Sequence, residues 1–116
     1  MLTNTPLLEQ ADELRRDAAG RTPGRLAELI DTRVAQLVGT AAAGVRLPDD
    51  VSPAEQCVID IVEQFLVDVH GITDRQFARL SDHYAHDEQV AIMFHLALAD
   101  GFAKLDLVQR ADETTT

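Results

Sequence analysis

Ser52-Pro53-Ala54-Glu55-Gln56-Cys57-Val58-Ile59-Asp60-Ile61-Val62-Glu63-Gln64-Phe65-Leu66-Val67-Asp68-Val69 is the stretch that decides the fold class. Its first four residues have capping-box spacing, in which a Ser hydroxyl and a Glu carboxylate satisfy reciprocal backbone donors at a helix start. Behind them Val58, Ile61, Val62, Phe65, Leu66 and Val69 recur at helical intervals, an apolar stripe of about five turns that Gly71 closes. Thr73-Asp74-Arg75-Gln76 repeats the capping-box spacing, and Phe77, Leu80 and Tyr84 then line a short helix.

The next segment downstream, residues 87–108, reads as a helix of another kind. Val90, Ala91, Ile92, Met93, Phe94, Leu96, Ala97, Leu98 and Ala99 leave no polar side except at His95. A helix apolar all round is buried all round, either centrally or between subunits. A chain of 116 residues has little interior to hide it, so a homo-oligomer is expected. Residues 109–116, ending in Asp112-Glu113-Thr114-Thr115-Thr116, read as a flexible acidic and threonine-rich tail.

Upstream, Thr5-Pro6 opens a short amphipathic helix carrying Leu7, Leu8, Ala11, Leu14 and Ala18, with Gly20 as its stop. Thr22-Pro23 is the expected start of the next, a capping Thr followed by a Pro whose missing N–H is harmless in the first turn. Leu26, Leu29, Ile30, Val34, Leu37 and Val38 then occupy one helical face. Gly39 to Pro48 breaks the pattern, and Pro48-Asp49-Asp50 reads as a turn. With no strand pattern and no internal repeat, the expectation is one all-α domain over residues 1–108, a bundle of about five helices.

Charge narrows the function classes. Residues 1–46 hold six acidic and six basic side chains, whereas residues 47–116 hold fourteen and four, which gives the whole net charge of −10. Such an acidic surface repels phosphate backbones and anionic bilayers, so nucleic-acid and membrane partners are not expected. Arg15, Arg16, Arg21 and Arg25 read as a solvated face. Cys57 is the single cysteine, which rules out an intrachain disulfide. Met1-Leu2-Thr3-Asn4-Thr5-Pro6 has neither a basic nor an apolar leader region, and no apolar run reaches spanning length, so a cytoplasmic location is expected.

Two stretches carry a family resemblance. His70-Gly71-Ile72-Thr73-Asp74-Arg75-Gln76-Phe77-Ala78-Arg79-Leu80-Ser81-Asp82-His83-Tyr84 is similar to a His, Thr/Ser-Asp, Phe-x-x-Leu, His-Phe pattern of the alkylhydroperoxidase D-like superfamily, which includes the carboxymuconolactone decarboxylases. Ala97-Leu98-Ala99-Asp100-Gly101-Phe102-Ala103-Lys104-Leu105-Asp106 resembles its closing helix, with Asp100 and Asp106 where amides are usual and Lys104 where Arg is usual. The resemblance covers residues 24–108. It implies an alkylhydroperoxidase D-like bundle and assembly into dimers, trimers or hexamers.

The family's redox centre is a Cys-x-x-Cys after the helix that resembles Leu26–Val38. By that resemblance Thr40 and Ala43 stand at the two thiol positions, and Leu47 stands where a His follows the second Cys. Glu28 keeps the spacing of the family's acidic residue, twelve positions before Thr40. Peroxide reduction needs a thiolate nucleophile and a resolving thiol within reach. Neither Thr nor Ala supplies one, so thiol peroxidase activity is not expected.

The remaining candidates for chemistry are few. Glu28 is either a solvated carboxylate at the N-terminal end of its helix or a general acid–base. His95 is either a core imidazole with a hydrogen-bond partner or a proton-transfer group lining a pocket, for which Asp100, Glu28 or His70 would be natural partners. Glu28 and His95 are the two candidate catalytic residues. His83 and His86, with Asp82, Asp87 and Glu88, read as a solvated turn rather than a metal site. His70 reads as a cation at a helix C-terminus, and Cys57 as a small buried hydrophobe. No cofactor fingerprint, phosphate loop or nucleophile elbow is present. Two functions follow as expectations: a redox-inactive interaction or assembly subunit, alone or beside a Cys-containing paralogue, or an acid–base enzyme acting on a small molecule.

Overall fold

A computed structural model describes the backbone of residues 5–115 and the side chains of residues 6–112. Its five α-helices are α1 (Thr5–Arg21), α2 (Leu26–Val38), α3 (Pro53–Val67), α4 (Asp74–His83) and α5 (His86–Thr115), with a single 3-10 turn at Val69–Gly71. The described residues contain no strand. The chain is therefore an all-α bundle. α2 lies at its centre, against α3 on one side and α5 on the other; α1 covers α5, and α4 folds onto α3. The 48 Å long dimension is close to the length of α5 itself, about 45 Å for thirty residues.

The core is the meeting of three stripes. Leu26, Leu29, Ile30 and Val34 of α2 pack with Val58, Ile61 and Val62 of α3 and with Ile92, Leu96 and Ala99 of α5, and Leu80 of α4 closes one end. Both expected capping boxes form. Ser52 Oγ accepts from the Glu55 amide at 3.1 Å while Glu55 accepts from the Ser52 amide at 3.0 Å. Thr73 and Gln76 make the same exchange ahead of α4.

Two Arg–Glu pairs fasten α2 to α3. Arg25 Nε lies 2.8 Å from one Glu55 oxygen and a second guanidinium nitrogen 2.9 Å from the other, a bidentate contact, and Arg25 also reaches Asp50 at 3.1 Å. Eight residues on, Arg33 meets Glu63 at 2.6 Å. Both pairs join residues thirty apart, so α2 and α3 run in the same direction. That geometry explains the long break in the pattern. The chain must travel back along about 20 Å of α2 before α3 can begin, and residues 39–52 make the return. Gly39 starts it in the left-handed region at φ 93°, where its amide and those of Thr40 and Ala41 all converge on the Ala35 carbonyl.

Three boundaries differ from the sequence reading. Thr22 does not cap α2; its hydroxyl turns back and donates to the Ala18 carbonyl at 2.7 Å, closing α1 beyond Gly20. α3 stops at Val67 rather than at Gly71, because Asp68 is extended and its carboxylate accepts from the His70 amide, which leaves Val69 half exposed. α5 continues to Thr115, so residues 109–115, expected as a tail, carry helical backbone; Thr116 lies outside the described residues.

Candidate functional site

An open cleft of about 620 Å³ lies among α1, α2 and α5. Val34, Ala99 and Phe102 contribute apolar wall, while Asp12, Arg15, Asp31 and Asp106 bring charge to it. The charges are mostly matched. Arg16 binds Asp12 and Arg110 binds Asp106, each one helical turn apart. Arg15 places its guanidinium 5.1 Å from the centre of the Phe102 ring, within cation–π range, and 3.9 Å from Asp31.

Asp31 also reaches inward. Its other carboxylate oxygen lies 2.8 Å from Nε2 of His95, which is wholly buried. An ionised carboxylate only accepts, so Nε2 carries the proton in this contact. In a neutral ring Nδ1 is then left as the acceptor. It is buried and has no hydrogen-bond partner among the described residues. A ring satisfied at one nitrogen and orphaned at the other is costly to bury. Sealed in this way, His95 cannot touch a molecule in the cleft, but the half-exposed Asp31 carboxylate can. Asp31 thus joins Asp12 and Asp106 as a cleft carboxylate able to exchange a proton with a bound molecule or to hold a cation, and among them it is the one that contacts a buried imidazole.

The two candidate catalytic residues are not brought together. Glu28 points to solvent from α2, away from the buried Ile30, and makes no hydrogen bond or ion pair among the described residues. None of the three partners expected for His95 meets it. Asp100 binds Lys104 at 3.1 Å, His70 is exposed 3.6 Å from Asp68, and Glu28 lies on the wrong face. The partner is Asp31, which sequence reasoning missed. Its signal was its place on the shoulder of the α2 stripe, one residue after Ile30 and three before Val34.

The other chemical candidates lie apart from the cleft or carry no activating environment. Thr40 lines the cleft wall, whereas Ala43 is exposed and outside its lining. Cys57 sits in α3 beside Asp60, Arg79 and His83. Burial, and then the Asp60 charge, push its thiol up from the usual value, so the reactive thiolate is disfavoured. His83 and His86 are both exposed, and no cluster of three potential metal ligands occurs among the described residues.

The outer face of α5 is the other unusual surface. Val90, Phe94, Ala97, Gly101, Leu105 and Val108 are all exposed, at successive spacings of four, three, four, four and three. Two depressions flank Phe94, one reaching Asp17 and Ala18 of α1 and the other reaching Leu80 of α4. No helix among the described residues is long and apolar enough to cross a membrane. Compared with known proteins, the chain matches no protein-family model, no curated protein and no solved structure.

Proposed function

We propose that this chain is a redox-inactive protein of the alkylhydroperoxidase D-like type that acts as a subunit of a homo-oligomer. The observation that carries the reading is the apolar outer face of α5. Phe94 is 46% exposed and Val108 63%, on a helix whose inner face already supplies the core. Burying apolar surface yields roughly 25 cal/mol per Å², so a stripe of this kind is a standing incentive to associate. The missing thiols support the other half of the reading. Thr40 and Ala43 offer no nucleophile, and Cys57 is buried elsewhere with no second thiol to resolve it. Assembly beside a Cys-containing paralogue is a variant of the same role.

Two measurements test it. Size-exclusion chromatography with light scattering should give a mass above that of one 12.7 kDa chain at micromolar concentration. With a dithiol donor, the purified protein should consume hydroperoxide no faster than a blank. A stable monomer would contradict the first half, and catalytic peroxide consumption the second.

A second reading, acid–base chemistry on a small molecule as in the decarboxylase branch of the family, is favoured by one observation. The cleft holds a carboxylate, Asp31, oriented from behind by a buried imidazole. In this form Asp31 exchanges the proton, His95 positions it, and Glu28 has no part. Assayed on carboxymuconolactone and related lactones, Asp31→Asn should abolish any turnover that the wild type shows while Glu28→Gln keeps it; the reverse pattern would remove the reading.

A further inference from the structure

Arg15 of α1 and Asp31 of α2 face each other in the cleft without closing on one another. The nearest guanidinium nitrogen and carboxylate oxygen are 3.9 Å apart, beyond hydrogen-bond length. Each of the other charges lining the cleft is hydrogen-bonded to a partner one turn away, Asp12 to Arg16 and Asp106 to Arg110. Arg15 makes no hydrogen bond among the described residues, so none of the five N–H donors of its fork meets a protein acceptor. Asp31 has one oxygen committed to His95 Nε2 at 2.8 Å, while the other, the one toward Arg15, takes no hydrogen bond.

Both groups are nonetheless held in place. The Phe102 ring backs the guanidinium at 5.1 Å, and buried His95 anchors the carboxylate from behind. Each side chain is 37% exposed, so a molecule entering the cleft reaches both. A cation and an anion, fixed side by side but not joined, are the two poles of a site for a molecule that carries both charges.

We propose that the cleft binds a free α-amino acid with a large apolar side chain. Its carboxylate accepts from the Arg15 fork, and its ammonium donates to the uncommitted Asp31 oxygen. The two charged groups of an α-amino acid stand on one carbon, which suits poles this close. The side chain then lies along Leu8, Val34, Ala99 and Ala103.

Charge selects this class over simpler ones. Asp12, Asp31 and Asp106 are matched in number by Arg15, Arg16 and Arg110, so the cleft and its flanks are neutral. A plain anion is repelled by a chain at −10 and meets Asp31 beside Arg15. A plain cation at Asp31 meets the Arg15 guanidinium. A zwitterion has no net charge and engages both poles at once. The proposal goes beyond both functional readings, since it needs neither association nor turnover.

Calorimetric titration of the whole chain tests it, with L-phenylalanine beside hydrocinnamate, which lacks the ammonium, and phenethylamine, which lacks the carboxylate. Phenylalanine should saturate a single site below about 10 mM. Each analogue should bind on the order of 10-fold more weakly, as loss of a charge-assisted pair does. Arg15→Gln should erase the advantage of phenylalanine over phenethylamine and keep its advantage over hydrocinnamate; Asp31→Asn should do the converse. Asp31 also holds His95, so Arg15→Gln, at a half-exposed position, decides the matter should Asp31→Asn fail to fold. No saturation by phenylalanine, an analogue that binds as tightly as phenylalanine, or unchanged binding by Arg15→Gln would overturn the proposal. Lactone turnover without amino-acid binding would overturn it and leave the acid–base reading standing. Amino-acid binding without turnover would support it and count against that reading alone.

Discussion

The two faces of α5 are equally apolar in sequence and opposite in fate. Ile92, His95, Leu96 and Ala99 on the inner face are almost wholly buried against α2 and α3, whereas Val90, Phe94, Ala97 and Val108 on the outer face stand in solvent. The inner face even accepts an imidazole with one orphaned nitrogen, while the outer face accepts a glycine with no intrachain purpose. The contrast teaches that composition sets how much of a helix wants cover, and that packing within one chain supplies cover to only one side. The inner face makes the fold; the outer face is what the fold leaves uncovered.

The strongest way to break the contrast is to damage the inner face. Leu96→Ala opens a cavity among Ile30, Ile61 and Ile92 and should cost about 2–5 kcal/mol of unfolding free energy in urea. An effect below roughly 0.5 kcal/mol, the level of ordinary surface changes, would mean that α5 is not held as described.

The frame that aligns α2, and through it both faces, is sharpened next by Glu55. Hydrogen bonds from Arg25 and then from the Ser52 amide hold this carboxyl down at about 2, from an ordinary 4.5. Its folded value is depressed, so the stability it contributes is complete above about pH 4.5 and is lost as pH falls toward about 2. Glu55→Gln should cost about 1–2 kcal/mol at neutral pH. It should also flatten the decline in denaturation midpoint between pH 5 and pH 2. An unchanged acid profile in the variant would show that the clamp does not act.

Smaller again is Gly39→Ala, which forces a side chain into left-handed backbone at φ 93° and should cost about 1 kcal/mol. Thermal unfolding followed by circular dichroism checks it, and a neutral result would place no strain at that turn. The smallest effect belongs to Glu28. Glu28→Gln should change stability by less than about 0.5 kcal/mol and leave association untouched; a larger change in either would restore it as a functional residue.

Much of the fold was legible because it is written in local terms. Ser52 with Glu55 and Thr73 with Gln76 form the hydrogen bonds that their spacing implies, and the stripe through Leu26, Ile30 and Val34 faces the core. What failed to show was long-range or competitive. Thr22 could accept from the free amides at the start of α2 or donate to the last carbonyls of α1, and it does the second. Periodicity marks Val69 and Phe77 as stripe members but cannot say that the bundle has no neighbour to cover them. The candidate site was half legible. His95 was identifiable as a polar residue in an apolar run, yet its partner sits sixty-four residues away on α2, and no local pattern points from one to the other. Glu28 stood out in the sequence only by its spacing from Thr40, and helical geometry turns it away from both His95 and the cleft.

Sedimentation velocity of the wild type beside Phe94→Glu, over roughly 1 to 100 μM, decides whether the outer face of α5 joins one copy to another. The wild type should form a concentration-dependent oligomer and the variant should be a folded monomer. A wild type that sediments as a monomer throughout, or a variant that associates as tightly as the wild type, would contradict it.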